Sequence, residues 1–175
     1  MGFHDETGLS ERPFIHRTWA RKGKTPVITS SGSWKKLALS GVIVTDPMGR
    51  SPRFLLRSIA GSVDAKEVIR FLKDIKRHLQ GRKLLLFMDG LPAHRAKLVQ
   101  RYIRSERSWL RVIRLPAYAP ELNPIEYLWG MMKKTYLANL APELTVIGRE
   151  LKRCRPKMSD RRLLQGFLKA SGLYS

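Results

Sequence analysis

The chain has 175 residues, enough to bury a core within one domain, and its hydrophobic fraction of 43% is ordinary for a globular protein. Its charge is not ordinary: 34 Lys and Arg stand against 14 Asp and Glu, a formal +20 that repels itself in a compact state unless a polyanion absorbs it. No run approaches the ~20 apolar residues of a membrane span, acids appear by Asp5 where a leader needs an apolar stretch, and the single Cys154 excludes an internal disulfide or multi-cysteine zinc site. The expected partner is therefore nucleic acid and no membrane, and the expected compartment is reducing and cytoplasmic.

In chain order, FHDETG at 3–8 reads as a short strand that Asp5 closes. Residues 12–36 are basic and turn-rich, with seven Lys and Arg and no acid, and SSGS at 30–33 reads as a loop. KLALSGVIVTD (36–46) and RFLLRSIAG (53–61) read as two strands of an antiparallel hairpin, joined through the turn Asp46-Pro47-Met48-Gly49. From Asp64 to about Leu79 the period changes: Val68, Ile69, Leu72, Ile75 and Leu79 fall at helical spacing, and Gly81 stops the helix.

LLLFMD (84–89) has no alternation and reads as a strand buried on both faces, as in a parallel sheet. A helix over 94–106, a strand RVIRL (111–115), a Pro/Tyr loop and a helix from about Pro124 to Leu140 follow. Ile125, Leu128, Trp129, Met132 and Tyr136 form the core-facing stripe of that last helix. Residues 142–175 read as one or two further helices. The order predicts an α/β fold, a mixed central sheet flanked by helices, with its chemistry at the carboxyl ends of strands.

In so basic a chain three carboxylates stand out: Asp5, Asp89 at the end of the apolar strand, and Glu126 at the start of a helix. Beside a phosphodiester such groups need a cation between. Magnesium takes hard oxygen ligands, and two such ions can activate an attacking oxygen and stabilise a leaving one. Each acid also has a plainer role open to it. Asp89 precedes Gly90 and suits a turn. Glu126 falls at the third helical position after Asn123 and Pro124, which resembles a capping box. Glu6 adjoins Asp5 and could replace it, and Asp46 is accounted for by its Asp-Pro turn.

Basic residues cluster after Asp89. Arg95 is followed by Lys97, Arg101 and Arg104 at spacings of four and three, which puts the last three on one helical face. Lys133 and Lys134 follow Glu126 by two turns. These are expected phosphate contacts, which position DNA without reading its sequence. His94 suits a phosphate or metal-bound water contact, or a cap on the following helix. Trp129 belongs to the core stripe, and Cys154, between Arg153 and Arg155, has neighbours that would depress its pKa.

LPAYAPELNPIEYLWGMMKK (115–134) resembles the signature around the last acid of the DDE-superfamily transposases, in the bacterial insertion-sequence branch related to Tc/mariner elements. Asp5-Glu6-Thr7-Gly8 is similar to the segment carrying the first acid. Asp89 with His94 five residues on is similar to the second, and Leu122-Asn123-Pro124-Ile125-Glu126 to the third. TWARKGKTP (18–26) resembles the family's segment between the first strands, and the likeness covers roughly residues 1–140. Gly90 and Glu121 depart from the family's usual Asn and Asp.

The resemblance implies an RNase H-like fold, with residues 1–140 as the catalytic domain and 141–175 as its C-terminal helical extension. It implies Asp5, Asp89 and Glu126 as catalytic and metal-binding residues with two Mg2+ or Mn2+ ions. His94, Arg95, Lys97, Arg101, Lys133 and Lys134 fall to DNA binding. The implied reaction is 3′-end cleavage and strand transfer on double-stranded DNA, at element ends and target, by a nucleoid-associated bacterial protein acting as a homodimer. Family members usually carry a helix-turn-helix region, expected here to be separately encoded or lost. Two other classes stay open: a DNA-binding remnant without catalysis and a standalone RNase H-like nuclease.

Overall fold

The computed structural model describes residues 1–12, 14–28, 35–116, 119–140 and 143–174. The loop expected at 30–33 lies outside the described residues. Five strands form one sheet: β1 (Gly2–Ser10), β2 (Lys36–Val44), β3 (Arg53–Ala60), β4 (Leu84–Met88) and β5 (Leu110–Arg114), in the order β3-β2-β1-β4-β5. β1, β2 and β3 are antiparallel neighbours, while β1, β4 and β5 run parallel. The helices are α1 (Ala65–His78), α2 (Pro92–Arg95), α3 (Lys97–Ser105), α4 (Pro124–Met131), α5 (Leu144–Met158) and α6 (Arg161–Ala170). None among the described residues is long and apolar enough to cross a membrane.

Strand alternation divides the core in two. Leu39 and Ile43 of β2, with Phe3 and Leu9 of β1, pack against Ile125, Leu128 and Trp129 of α4 and against α5 and α6. Val42 and Val44 of β2, with Leu84, Leu86 and Met88 of β4, pack against Val68, Phe71, Leu72 and Ile75 of α1 and Val99 of α3. β4 is fully buried on the α1 side and half-buried at Leu85 and Phe87, so its second face is less enclosed than a strand buried on both faces.

Several boundaries differ from the sequence reading. β1 does not close at Asp5 but continues to Ser10, because β2 pairs with it along its whole length, from Gly2↔Val44 to Ser10↔Lys36. Glu6 and Gly8 carry little strand propensity of their own; the ladder imposes it. The single helix expected over 94–106 is two, broken where Ala96 turns extended (φ −55°, ψ 137°). The helix expected to reach Leu140 changes at Met132–Tyr136 into a wider π turn, closed by a bond from the Leu137 N–H to the Met132 carbonyl.

The local capping logic holds elsewhere. Asp64 caps α1 by accepting from the Glu67 N–H at 2.8 Å. Asp46 holds its turn by accepting from the N–H groups of Met48 and Arg50, with Gly49 at φ 71°.

One close approach ties the sheet to α4. A methyl group on Gly41 would lie 2.7 Å from the Trp129 ring and 3.0 Å from Ile125. The bare backbone at Gly41 is what lets the indole approach β2 so closely. Gly41→Ala should therefore destabilise the protein by about 1–3 kcal/mol, the usual range for overpacking. Urea unfolding followed by indole fluorescence checks this; an unchanged midpoint would show that the helix rides off the sheet without cost.

Candidate active site

β1 carries Asp5 and Glu6 side by side, and alternation sends them to opposite faces of the sheet. Asp5 shares the α4 face with Phe3 and Leu9. Its Oδ2 accepts a hydrogen bond from Trp129 Nε1 at 3.0 Å, and the residue is 7% exposed. Its cross-strand partner is Gly41, the residue that makes room for that indole. Glu6 shares the α1 face with His4. Strand parity thus puts Asp5, and not Glu6, among the residues lining the cleft beside Asp89 and Glu126.

Asp89 follows β4 directly. β1 and β4 pair in parallel through Gly2↔Leu86 and Phe3↔Phe87, and extending that register by two residues brings Asp5 level with Asp89. From here β1 leads away to β2 on one side and β4 to β5 on the other. Such a divergence leaves a crevice at the carboxyl end of β4, beside the middle of β1. Asp89 holds a turn with the same carboxylate that faces the cleft: its Oδ1 accepts from the Leu91 N–H at 3.1 Å and from His94 Nδ1 at 2.7 Å. Among the described residues its Oδ2 has no hydrogen-bond partner.

Glu126 lies in the first turn of α4 with an exposed side chain. No capping box forms. The Glu126 N–H donates to the Asn123 backbone carbonyl, while the Asn123 side chain is turned inward to donate to the His4 carbonyl at 3.2 Å. The Glu126 carboxylate therefore makes no hydrogen bond or ion pair among the described residues, and it lines a cleft of about 710 Å³ with Asp5 and Asp89. Asn123, Arg95 and Arg114 line the same cleft.

The electrostatics register the convergence. Burial first, then the charges of Glu126, Glu6 and Asp89, push the Asp5 carboxyl up to about 8. For Asp89, burial opposes ionisation, but the hydrogen bonds from His94 and Leu91 outweigh it and hold the group below the usual carboxylate value. Burial likewise opposes charge on His94, yet bonds to Asp89 and Glu6 raise it to about 10. His94 is thus an imidazolium between two carboxylates. His4, fully buried, is lowered by desolvation and stays neutral. Three carboxylates around an open cleft, one of them unable to ionise easily beside the others, are an all-oxygen donor set suited to a hard divalent cation.

The remaining expected residues divide. Arg95 is exposed at the cleft, and Lys97, Arg101 and Arg104 are exposed on α3. Lys134 is exposed, whereas Lys133 is half-buried with its Nζ 5.8 Å from the Phe14 ring centre. His94 is not at the surface: it is 2% exposed and both ring nitrogens face carboxylates, so no nitrogen is left for a phosphate. Cys154 is buried, and desolvation raises its thiol rather than lowering it, because its arginine neighbours point to solvent. His4, Gly41 and the polar edge of Trp129 carried no signal of their own in the sequence; Glu6 stood out only as a substitute for Asp5, and the alternation of β1 separates the two.

Residues 1–161 match the family model of the DDE superfamily endonucleases. The chain is 24% identical over 139 residues to the insertion element IS630 uncharacterized 39 kDa protein of Shigella sonnei, covering 78% of this chain and 38% of that protein. Its fold is similar to that of the Mos1 mariner transposase in a paired-end complex with Mn, with a TM-score of 0.71, 17% identity, and coverage of 98% of this chain and 52% of that one. Against the Mos1 catalytic domain with raltegravir and Mg the TM-score is 0.64 at 18% identity, over 98% of this chain and 78% of that one. The chain spans about two fifths of the insertion-element protein and about half of the Mos1 chain in the paired-end complex. Its mixed five-stranded sheet flanked by helices is the RNase H-like fold that the sequence implied. With the family model matched over most of its length, the chain belongs to the DDE superfamily of endonucleases.

Proposed function

We propose that this chain is the catalytic domain of a transposase, which uses Asp5, Asp89 and Glu126 with two divalent ions, Mg2+ or Mn2+, to free a 3′-hydroxyl at an element end and join it to target DNA. One observation carries the reading: carboxylates from three separate elements meet in one open cleft, and their mutual repulsion with burial drives Asp5 to about 8. The similar structures support it, since Mos1 transposase is found in complexes with a transposon end and with Mn or Mg. So does the insertion-element source of the sequence relative.

When bound, divalent ions activate the attacking oxygen and stabilise the leaving one, so one site serves both cleavage and transfer. The chain's own residues do the positioning. Trp129 holds Asp5, Leu91 and His94 hold Asp89, and the uncapped Glu126 is left to the cleft. Arg95 and Arg114 draw phosphates to the opening. Lys97 and Arg101 on α3, with Lys133 and Lys134, extend the contact along double-stranded DNA of element ends and target. Residues 141–175 act as the helical extension of the 1–140 domain, since α5 and α6 share its core. A homodimer would pair two ends, and the bacterial nucleoid is where such substrate lies.

Incubation with element-end DNA and Mn2+ should give metal-dependent cleavage, and Asp89→Ala should reduce it to background. If the unmodified chain cleaves nothing with any divalent ion, the remnant reading replaces this one; preferential cleavage of an RNA–DNA hybrid would favour the standalone nuclease. A second expectation concerns pH. Asp5 binds its proton more tightly folded than unfolded, so the metal-free protein loses stability as pH rises from about 4 to about 8. His94 adds the same sign from about 6.5 to about 10. A metal ion displaces the Asp5 proton, so the rise in melting temperature on adding Mg2+ should grow between about pH 6 and about pH 8. Differential scanning fluorimetry with and without Mg2+ measures it. Third, replacing Lys97, Arg101 and Arg104 together by Ala should flatten the salt dependence of DNA affinity by about 2–3 in the log–log slope. An unchanged slope would move the DNA to another face.

A further inference from the structure

The mechanism above uses Asp89 but leaves unexplained why the α1 side of β1 buries so much polar chemistry behind it. His94 Nε2 lies 2.8 Å from Glu6 Oε1, and His94 Nδ1 lies 2.7 Å from Asp89 Oδ1. His4 stands behind them, its Nε2 3.4 Å from the same Glu6 oxygen and 3.0 Å from Ser40 Oγ. The His4 and His94 rings meet edge to face at 5.3 Å. The arrangement is incompletely satisfied: Glu6 Oε2 and His4 Nδ1 are buried with no partner. An under-bonded buried carboxylate costs stability, so Glu6 is not there to stabilise the core.

Its geometry says what it does instead. The His94 ring spans Glu6 on β1 and Asp89 beyond β4, the two strands that diverge to form the cleft. Together with the Leu91 N–H it occupies Oδ1 of Asp89 and leaves Oδ2 alone without a protein partner. We infer that His94, braced by Glu6, is a positioning residue that fixes the rotation of the Asp89 carboxylate so that a single oxygen serves the metal. The inference rests on the proposed metal-binding role of Asp89. His4 Nε2, Glu6 Oε1 and His94 Nε2 also lie within 4.8 Å of one another, the spacing of a metal site. The direct 2.8 Å contact between His94 and Glu6 is a hydrogen bond, however, and leaves no place for an ion between them. The group is a brace.

The two ring nitrogens can be tested separately. In His94→Asn the amide nitrogen stands near the former Nδ1 and can still donate to Asp89, while the reach to Glu6 is lost. In His94→Gln the amide nitrogen stands near the former Nε2 and keeps Glu6, while Asp89 loses its donor. Mn2+ affinity is read by electron paramagnetic resonance on the full chain, with the melting temperature of each metal-free variant measured alongside. His94→Gln should weaken Mn2+ binding about 10–100-fold, the usual effect of removing a partner behind a metal ligand. His94→Asn, which keeps the donor to Asp89 but loses the brace, should weaken it less, by about threefold to tenfold. Glu6→Gln, which leaves Asp89 and His94 in place, should weaken binding by an intermediate amount, and it serves as the test should either His94 variant fail to fold.

Equal affinities for the Asn and Gln variants, or losses that merely follow melting temperature, would overturn the inference and make His94 a structural residue. Zinc found in the purified parent at one ion per chain and lost in Glu6→Gln would also overturn it, in favour of a metal at the buried cluster. If Asp89→Ala binds Mn2+ as well as the parent, the site assignment itself fails, a result distinct from the other two.

Discussion

Everything where β1 passes the carboxyl end of β4 depends on one electrostatic constraint: three mutually repelling carboxylates must share one cleft. Asp5 bears most of it. It is the most enclosed of the three, and burial with the charges of Glu126, Glu6 and Asp89 all act against its ionisation. The fold answers by attaching a donor to it. Trp129 reaches Asp5 only because α4 lies close on the sheet, and α4 lies close only because Gly41 has no side chain. A glycine in β2, a tryptophan in α4 and an aspartate in β1 are thus one device, and the ring that fills the core also supplies the hydrogen bond.

The same constraint accounts for how sparingly acids are used elsewhere. Asp64 and Asp160 cap helices, and Asp46 holds a turn. Glu67 and Asp74 bind Arg57, and Glu106 binds Lys76 and the Trp109 indole. Each has a local structural task, so little negative charge is left to offset the exposed Lys and Arg of α3 and the C-terminal helices. Positive charge lies outside and negative charge collects in one cleft. That separation suits a polyanion held at the surface while one of its phosphates is presented to a cation among carboxylates.

The parts of this arrangement legible in the sequence are those encoded by period and by punctuation. The hairpin, α1 with its Gly81 stop, the short apolar β4 and the stripe of α4 all follow from neighbouring residues. The identities of Asp5, Asp89 and Glu126 came from the resemblance, and each had a competing local role. The structure treats those roles differently. Asp89 serves its turn through Oδ1 alone and keeps Oδ2 for the proposed metal role, because a carboxylate has two oxygens and a turn needs one. Glu126 fills one, because Asn123 turns inward to His4 and forms no cap. What could not be read was whatever depends on partners distant in the chain: the extension of β1 by β2, the break at Ala96, and the burial of His94. A histidine five residues past an aspartate looks like a surface ligand until Glu6, 88 positions away, is known to be waiting on its other side.

That distant pairing also bears on whether the chain is an enzyme or a remnant that only binds DNA. Binding through a basic surface needs none of the buried polar set. Asp5 with its displaced pKa, Glu6 with an unpartnered oxygen and Asn123 with an unpartnered Oδ1 all cost stability that apolar residues of similar size would recover. A fold kept only for its surface would gain by losing them. Here they stand together, each joined to one of the acids or to the brace behind it, and Trp129 and His94 still orient the two acids they touch. A costly arrangement of this kind is what the proposed cation site calls for and a DNA-binding surface does not, and that favours the catalytic reading over the remnant.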